Sequence, residues 1–261
     1  MSVPSPTVPV IEMKGVAFSG LRAARSRMGE DIHWTVQPGE YWAIAGLHGS
    51  GKSDFLMMTA GLMAPLSGSY RFLGEDMPLF EETRLAHRLR LGLVFDGGQP
   101  FTRLSVRENI ALPLRYHENL GSAEVEARVG ALIEGLGLGD WANTTSGLLG
   151  RNLQKKVGLA RALILRPEVL LLDNPLGGSD FRHANWWLQT LDQLAKGENL
   201  IPGKPVTLVV TTADFRPWKG HARQFAALGN GRLQILGDWT EVEAAAVDTV
   251  GELLPPESGE R

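Results

Sequence analysis

Apolar residues along the chain fall into two rhythms. Short continuous runs read as buried strands: Val10 to Phe18, His33 to Val36, Tyr41 to Ala45, Arg90 to Phe95, Val169 to Leu172, Pro205 to Val210 and Gln224 to Leu228. Tyr70-Arg71-Phe72 alternates like an edge strand, and Gly231 to Asp238 reads as a strand and turn. Other stretches repeat at helical spacing. Phe55 to Leu62 is one. A second places Val125, Val129, Leu132, Ile133 and Leu136 on one face, with Ser122 as candidate N-cap and Gly137 and Gly139 as its stop. Leu153 to Leu165 is a third. Gln37-Pro38-Gly39-Glu40 and Ser67-Gly68 punctuate the runs, and Arg22 to Arg27 reads as a basic loop. Strands alternate with helices at both ends of the chain. That pattern predicts an α/β fold with a mostly parallel sheet, into which a helical middle is inserted.

Composition narrows the picture. A chain of 261 residues can bury a substantial core. The net charge of −3 and a sequence pI near 6.1 give no bulk attraction to nucleic acid, so no nucleic-acid partner is expected. The absence of cysteine excludes disulfides and thiolate metal sites. The six histidines show no metal-binding spacing. No apolar run reaches the roughly 20 residues of a membrane span. Residues 1–9 lack a basic region and an apolar signal core and read as a short disordered lead.

The candidate chemistry starts at Gly46-Leu47-His48-Gly49-Ser50-Gly51-Lys52-Ser53, which has the spacing of a phosphate-binding P-loop. A strand precedes it and a helix follows. Glycines let backbone N–H groups turn toward phosphate oxygens, and the helix start adds a favourable dipole. Lys52 supplies a cation for the terminal phosphates and Ser53 a hydroxyl for Mg²⁺. Asp173 closes the apolar strand Val169 to Leu172, where a carboxylate is placed to hold Mg²⁺.

With those residues in view, the chain resembles the ATP-binding subunit of ABC transporters, from about Val10 to Asp238. Gly39 to Gly46 is similar to that family's entry to its P-loop. Gly61 to Gly68 resembles the segment after the P-loop helix. Val157-Gly158-Leu159-Ala160-Arg161-Ala162-Leu163, followed by Arg166-Pro167 and the Asp173 strand, is specific to the family. Val94-Phe95 and Leu104 to Arg115 are most similar to the lipid-trafficking branch, the maintenance-of-lipid-asymmetry and MCE-type systems. The resemblance implies one nucleotide-binding domain over 10–238. Its RecA-like P-loop NTPase core takes in 10–96 and 166–238, with an antiparallel β part near the N-terminus. Its helical subdomain covers about 97–165, and a C-terminal helix and tail follow over 239–261. ATP and Mg²⁺ are the implied cofactors.

Departures from the family pattern carry as much information as the matches. The catalytic Glu expected after Asp173 is Asn174, which can position water but cannot take its proton. The switch His expected after Thr211 is Thr212. The Gln expected after Phe95 is Asp96, a further candidate Mg²⁺ ligand, and Gln99 lies beyond it. The second P-loop hydroxyl is replaced by Asp54. The signature loop that caps a nucleotide on a second subunit aligns with Leu149-Gly150-Arg151-Asn152-Leu153, so Gly150 offers no hydroxyl. Arg151 there reads either as a finger reaching across a dimer or as a solvated or obstructing side chain. The aromatic that stacks on adenine is replaced by Gly20, with Arg22 nearby. Gly177 to Asp180 matches the dimer-contact loop, Asp180 being its acid, and Trp186 and Trp187 read as helix packing.

Two function classes follow. One is an ABC ATPase subunit that drives a permease, with an MCE-type lipid-binding protein in the same system. The other is a pseudo-ATPase that closes on ATP but turns it over poorly, paired with itself or with an intact paralogue. In either class the chain is expected on the cytoplasmic face of the cell membrane. The resemblance places the permease contact over Gly97 to Glu108, where Phe101 and Leu104 are the exposed apolar candidates; the alternative is that both pack inward. A non-ABC P-loop kinase or GTPase leaves Val157 to Leu163 unexplained.

Overall fold

The computed structural model describes residues 8–20, 27–77, 81–198 and 200–245. The expected lead before residue 8, Arg22 and most of its basic loop, and the tail beyond 245 lie outside the described residues. The chain divides into two compact units, one from residues 1–88 and 207–261, the other from residues 89–206.

The first unit holds two strand systems. β1 (Ile11–Ser19), β2 (Arg27–Val36), β4 (Ser67–Phe72) and β5 (Glu75–Asp76) form an antiparallel sheet in the order β2-β1-β4-β5. Met13 of β1 faces Trp34 of β2 on one side and Tyr70 of β4 on the other. β4 is not an edge, as the alternation predicted, because β5 pairs with Arg71 and Phe72. Two residues carry too little pattern to be read as a strand. The second system places β3 (Tyr41–Ala45) between β8 (Thr207–Thr212) and β9 (Gln224–Gly229), parallel to both. β10 (Arg232–Gly237) runs antiparallel beside β9. All five residues of β3 are buried, which explains its unbroken apolar run. α1 (Lys52–Thr59) follows the P-loop. Trp34 packs edge-on to Trp42 at 5.6 Å and tilted to Phe55 of α1 at 5.4 Å, so one aromatic cluster ties both strand systems to that helix. Short helices α2 (Leu85–Arg88) and α7 (Trp239–Ala245) complete the described part of this unit.

The second unit begins with β6 (Leu91–Val94), which pairs in parallel with β7 (Val169–Leu172). Four helices follow the same chain: α3 (Val106–His117), α4 (Ser122–Gly135), α5 (Arg151–Leu163) and α6 (Phe181–Lys196). α4 buries Val125, Val129, Leu132 and Ile133, the stripe its spacing predicted. Its N-cap is Gly121 and makes no side-chain cap bond, so Ser122 is the first helical residue rather than the cap. α5 starts two residues earlier than the apolar pattern indicated, at Arg151. α6 buries Trp187, Thr190, Leu191 and Leu194, an i, i+3, i+4, i+7 face. Trp187 is core, whereas Trp186 lies under the Lys156 ammonium, 3.9 Å from its ring centre. Parallel strands around β3 and between β6 and β7, helices on the same chain and an antiparallel β part make this an α/β P-loop NTPase fold.

Candidate functional site

The P-loop is built where β3 ends. Ala45 stands level with Thr212 of β8 and Ala227 of β9. Gly46 donates its N–H to the Thr212 carbonyl at 3.3 Å, so the loop leaves the sheet beside Thr212. Gly46 is needed for close approach, since a Cβ there would lie 2.4 Å from both the Leu228 carbonyl and Ser50 Oγ. Gly51 is the N-cap of α1 at φ 91°, a left-handed conformation that glycine adopts without strain. Lys52 folds back on the loop and donates to the carbonyls of Gly46 at 2.5 Å and Leu47 at 2.8 Å. Leu47, His48, Gly49 and Ser53 are exposed, while Ser50 and Asp54 are half-buried. Asp54 lies in the first turn of α1, where a carboxylate suits the helix dipole.

Two further residues of this unit shape the same loop. Met28 of β2 covers it: a Cβ on Gly51 would be 3.3 Å from Met28 Cβ, and one on Gly20 would be 3.3 Å from Met28 Cγ. Gly20 is buried under this side chain and near Asp54. Nothing in the pattern around Met28 marked it. Thr212 is buried, and its hydroxyl closes a local turn by donating to the Asp214 carbonyl at 2.9 Å and accepting from the Asp214 N–H at 3.2 Å.

The second unit carries the other marked residues. Asp173 is buried at the end of β7, and its N–H donates to the Val94 carbonyl of β6 at 2.8 Å. Asn174 follows at φ 48°, a left-handed conformation that asparagine tolerates better than most residues. Arg151 and Asp96, two of the departures from the family pattern, form an ion pair at 2.9 Å. Arg151 is thus engaged within its own chain. Gly150 is the N-cap of α5 and has no side chain to cap it. Leu149 is buried. Asn152 Oδ1 accepts from Ser179 Oγ at 3.4 Å. Asp180 caps α6 by accepting from the His183 N–H at 2.9 Å, and His183 Nδ1 lies 2.8 Å from the same oxygen. Those contacts, the His183 N–H first, hold the Asp180 carboxyl below its ordinary pKa.

Lys155 is the residue that sequence reasoning missed. It lies one turn into α5, is only 1% exposed, and donates to three carbonyls of the loop after β7: Asn174 at 3.2 Å, Pro175 at 3.1 Å and Gly177 at 2.6 Å. Its Nζ is 3.8 Å from Asp96. Burial pushes its pKa down; Asp96 and Asp173 oppose that shift and Arg151 adds to it.

The Gly97 to Glu108 stretch is locked from below. Asn109 is fully buried; its Oδ1 accepts from the Phe101 N–H at 2.8 Å. Its Nδ2 reaches the carbonyls of Phe101, Leu104 and Ser105 and the Ser146 hydroxyl at 2.9–3.3 Å. Arg161 donates to the carbonyls of Gly98 at 3.3 Å and Gln99 at 3.0 Å. Ser105 and Glu108 form a capping box at the start of α3. This frame leaves Phe101 55% exposed, while Leu104 is half-buried. Phe101 lines a cavity of about 400 Å³ with Leu91, Leu112, Pro113, Tyr116 and Leu165.

Comparison with known proteins agrees with this geometry. The profile of the family described as "ABC transporter" matches residues 30–177. The chain is 36% identical to the macrolide export ATP-binding/permease protein MacB of Azoarcus sp. (strain BH72), over 74% of this chain and 30% of that protein. It is 33% identical to the pyoverdine export ATP-binding/permease protein PvdT of Pseudomonas entomophila (strain L48), over 75% of this chain and 30% of that protein. The chain therefore spans about a third of the length of the curated relatives it matches. Among solved structures, the ATP-binding cassette MJ0796 in a dimeric post-hydrolysis state with ADP and Pi has the same fold. Its TM-score is 0.74 at 23% identity, over 85% of this chain and 96% of that one. With a family match that covers more than half of its residues, this chain belongs to the ABC transporter family.

Proposed function

We propose that this chain is the ATP-binding subunit of an ABC transporter, and that it binds Mg-ATP through residues 46–54 while hydrolysing it slowly. The observation that carries the reading is the P-loop itself: a buried strand, a glycine turn and a helix start with Lys52 folded onto the loop. A phosphate oxygen is a stronger acceptor for that ammonium than the carbonyls of Gly46 and Leu47. The N–H groups of Gly49, Gly51 and Ser53 serve the same phosphates. Ser53 and Asp173 offer hard oxygen donors, which suit Mg²⁺. The metal would offset phosphate charge. Asp96 already faces Arg151 at 2.9 Å and Lys155 at 3.8 Å, which favours a counter-ion role for it over metal ligation. Asn174 and Thr212 leave water without a proton acceptor and a switch imidazole. The same reading takes residues 10–238 as a single domain, with a core from 10–96 and 166–238 and a helical subdomain near 97–165; the compact units divide instead at 88/89 and 206/207, because β6, β7 and α6 group with the helical segment.

Mg-ATP should raise the melting temperature of the wild-type chain. At ~100 times the dissociation constant the gain is about 2.7 kcal/mol. Lys52→Ala should abolish it. A folded wild type with no shift at millimolar Mg-ATP would overturn the proposal.

The partners follow from the same reading. An integral-membrane permease docks on Phe101 and the groove beside it, a second copy or an intact paralogue supplies the other ABC subunit, and the chain works at the inner face of the membrane. No helix among the described residues is long and apolar enough to cross a membrane. A permease recovered from mild detergent with wild type, and lost with Phe101→Asp while nucleotide binding persists, is the expected result. A lipid cargo with an MCE-type partner rests on the stretch from Val94 to Arg115 alone. The relatives are named for macrolide and pyoverdine export, which lends a lipid cargo no support. Identification of the recovered permease and its companions decides the cargo class.

A further inference from the structure

We infer that Lys155 is a positioning residue: a buried ammonium that fixes the turn from Asn174 to Gly177 and joins it to Asp96 and to the start of α5. Lysine has three donors and no acceptor. Here the three carbonyls of Asn174, Pro175 and Gly177 match that count. A charge this deep is tolerated only when paired and fully hydrogen-bonded. Asp96 at 3.8 Å is the counter-charge, itself held by Arg151 at 2.9 Å. Arg151, Asp96 and Lys155 thus form one charged chain from the first turn of α5 to the loop that carries Asn174 and leads into Asp180. Asn174 sits at φ 48°, a left-handed conformation, and the Lys155 bonds to its carbonyl and to those of Pro175 and Gly177 hold the turn that starts there. Besides its carbonyl bonds, Lys155 is faced by Asp96, Arg151 and Asp173. The departures at 96 and 151 are therefore parts of a working electrostatic frame and not isolated losses.

The inference rests on the proposed function for its view of Asn174 and Asp180 as site residues, but its main test needs no nucleotide. Backbone amide exchange on the full chain reads the turn directly through Gly177 and Ser179, whose N–H groups bond the Asn174 and Leu176 carbonyls at 3.0 and 3.1 Å. Lys155→Met should lower protection at both about tenfold or more, the loss expected for bonds to a charged donor. Protection along α4 should stay at wild-type values. Lys155→Gln, with two neutral donors on a shorter arm, should fall between. The wild-type protein offers a check that requires no variant to fold: a Lys155 ammonium resonance that exchanges slowly with water. Asp96→Asn should quicken that exchange, an effect that a merely space-filling lysine would not produce. Unchanged protection in a folded Lys155→Met protein, or a Lys155 ammonium that exchanges as fast as surface lysines, overturns the inference. If Mg-ATP fails to stabilise the wild type while Lys155→Met loosens the turn, the functional reading falls and the positioning role stands.

Discussion

The P-loop and the Asp96–Lys155 frame of the second unit are built on different terms. Residues 46–53 carry the glycines, the lysine and the hydroxyl that the phosphate-binding spacing calls for, with Gly49 and Gly51 at positive φ. Asp96, Arg151 and Asn174 in the second unit, like Thr212 in the first, stand where the resemblance to ABC subunits implies other residues. Yet the second unit has not decayed into loose ends. Arg151 meets Asp96, Lys155 meets three carbonyls, and Asp180 caps α6. The contrast teaches that a change of chemistry and a loss of architecture are separable. Chemistry depends on one atom type at one place, such as the carboxylate that the proposed function puts in the place of the Asn174 amide. Architecture depends on satisfied donors and buried charge, which several residue combinations supply.

The comparison can be broken most forcefully by restoring the missing chemistry. Asn174→Glu combined with Thr212→His should raise ATP turnover about 100-fold or more, the usual contribution of a positioned general base. In that background, adding Lys155→Met should lower kcat with KM held, because the turn at 174–177 is loosened while the P-loop is untouched. Failure of the double variant to rise would place the limit on the signature segment, where Arg151 is held by Asp96.

A second prediction sharpens the structural side. Asn109→Ala should destabilise the protein by about 3 kcal/mol, because it strands buried backbone groups of the Phe101 to Ser105 loop. Urea unfolding measures the loss, and permease capture should fall with it. The smallest effect belongs to Arg151→Ala. Its pair with Asp96 is well exposed, with side chains 60% and 38% accessible, so solvent screening leaves it worth less than about 1 kcal/mol. A loss of unfolding free energy in urea larger than that would mean the pair supports Lys155 more strongly than its exposure implies.

Much of this was legible in the sequence where local pattern and chemistry coincide. β3 and β7 match their apolar runs residue for residue, and the buried stripe of α4 follows its spacing. The P-loop geometry is equally local. α3 announces its start through the Ser105–Glu108 capping box, but Pro113 inside it breaks the helical signal that the rest of the segment carries. β5 is too short to leave a pattern. The pairing of Arg151 with Asp96 spans 55 residues of sequence, and Lys155 reaches carbonyls about 20 residues away. Backbone acceptors carry no signature in the sequence, so a buried lysine that serves them looks like any exposed one. Met28 is hidden for the same reason, since only the turn of β2 over Gly51 reveals it.

The central claim is that this chain keeps the nucleotide grip and has given up rapid hydrolysis. It is tested most directly by identifying the nucleotide that stays bound after the purified chain is incubated with Mg-ATP. The account predicts intact ATP on the wild type and none on Lys52→Ala. ADP released at the rate of an ordinary ABC subunit, or no retained nucleotide at all, would contradict it.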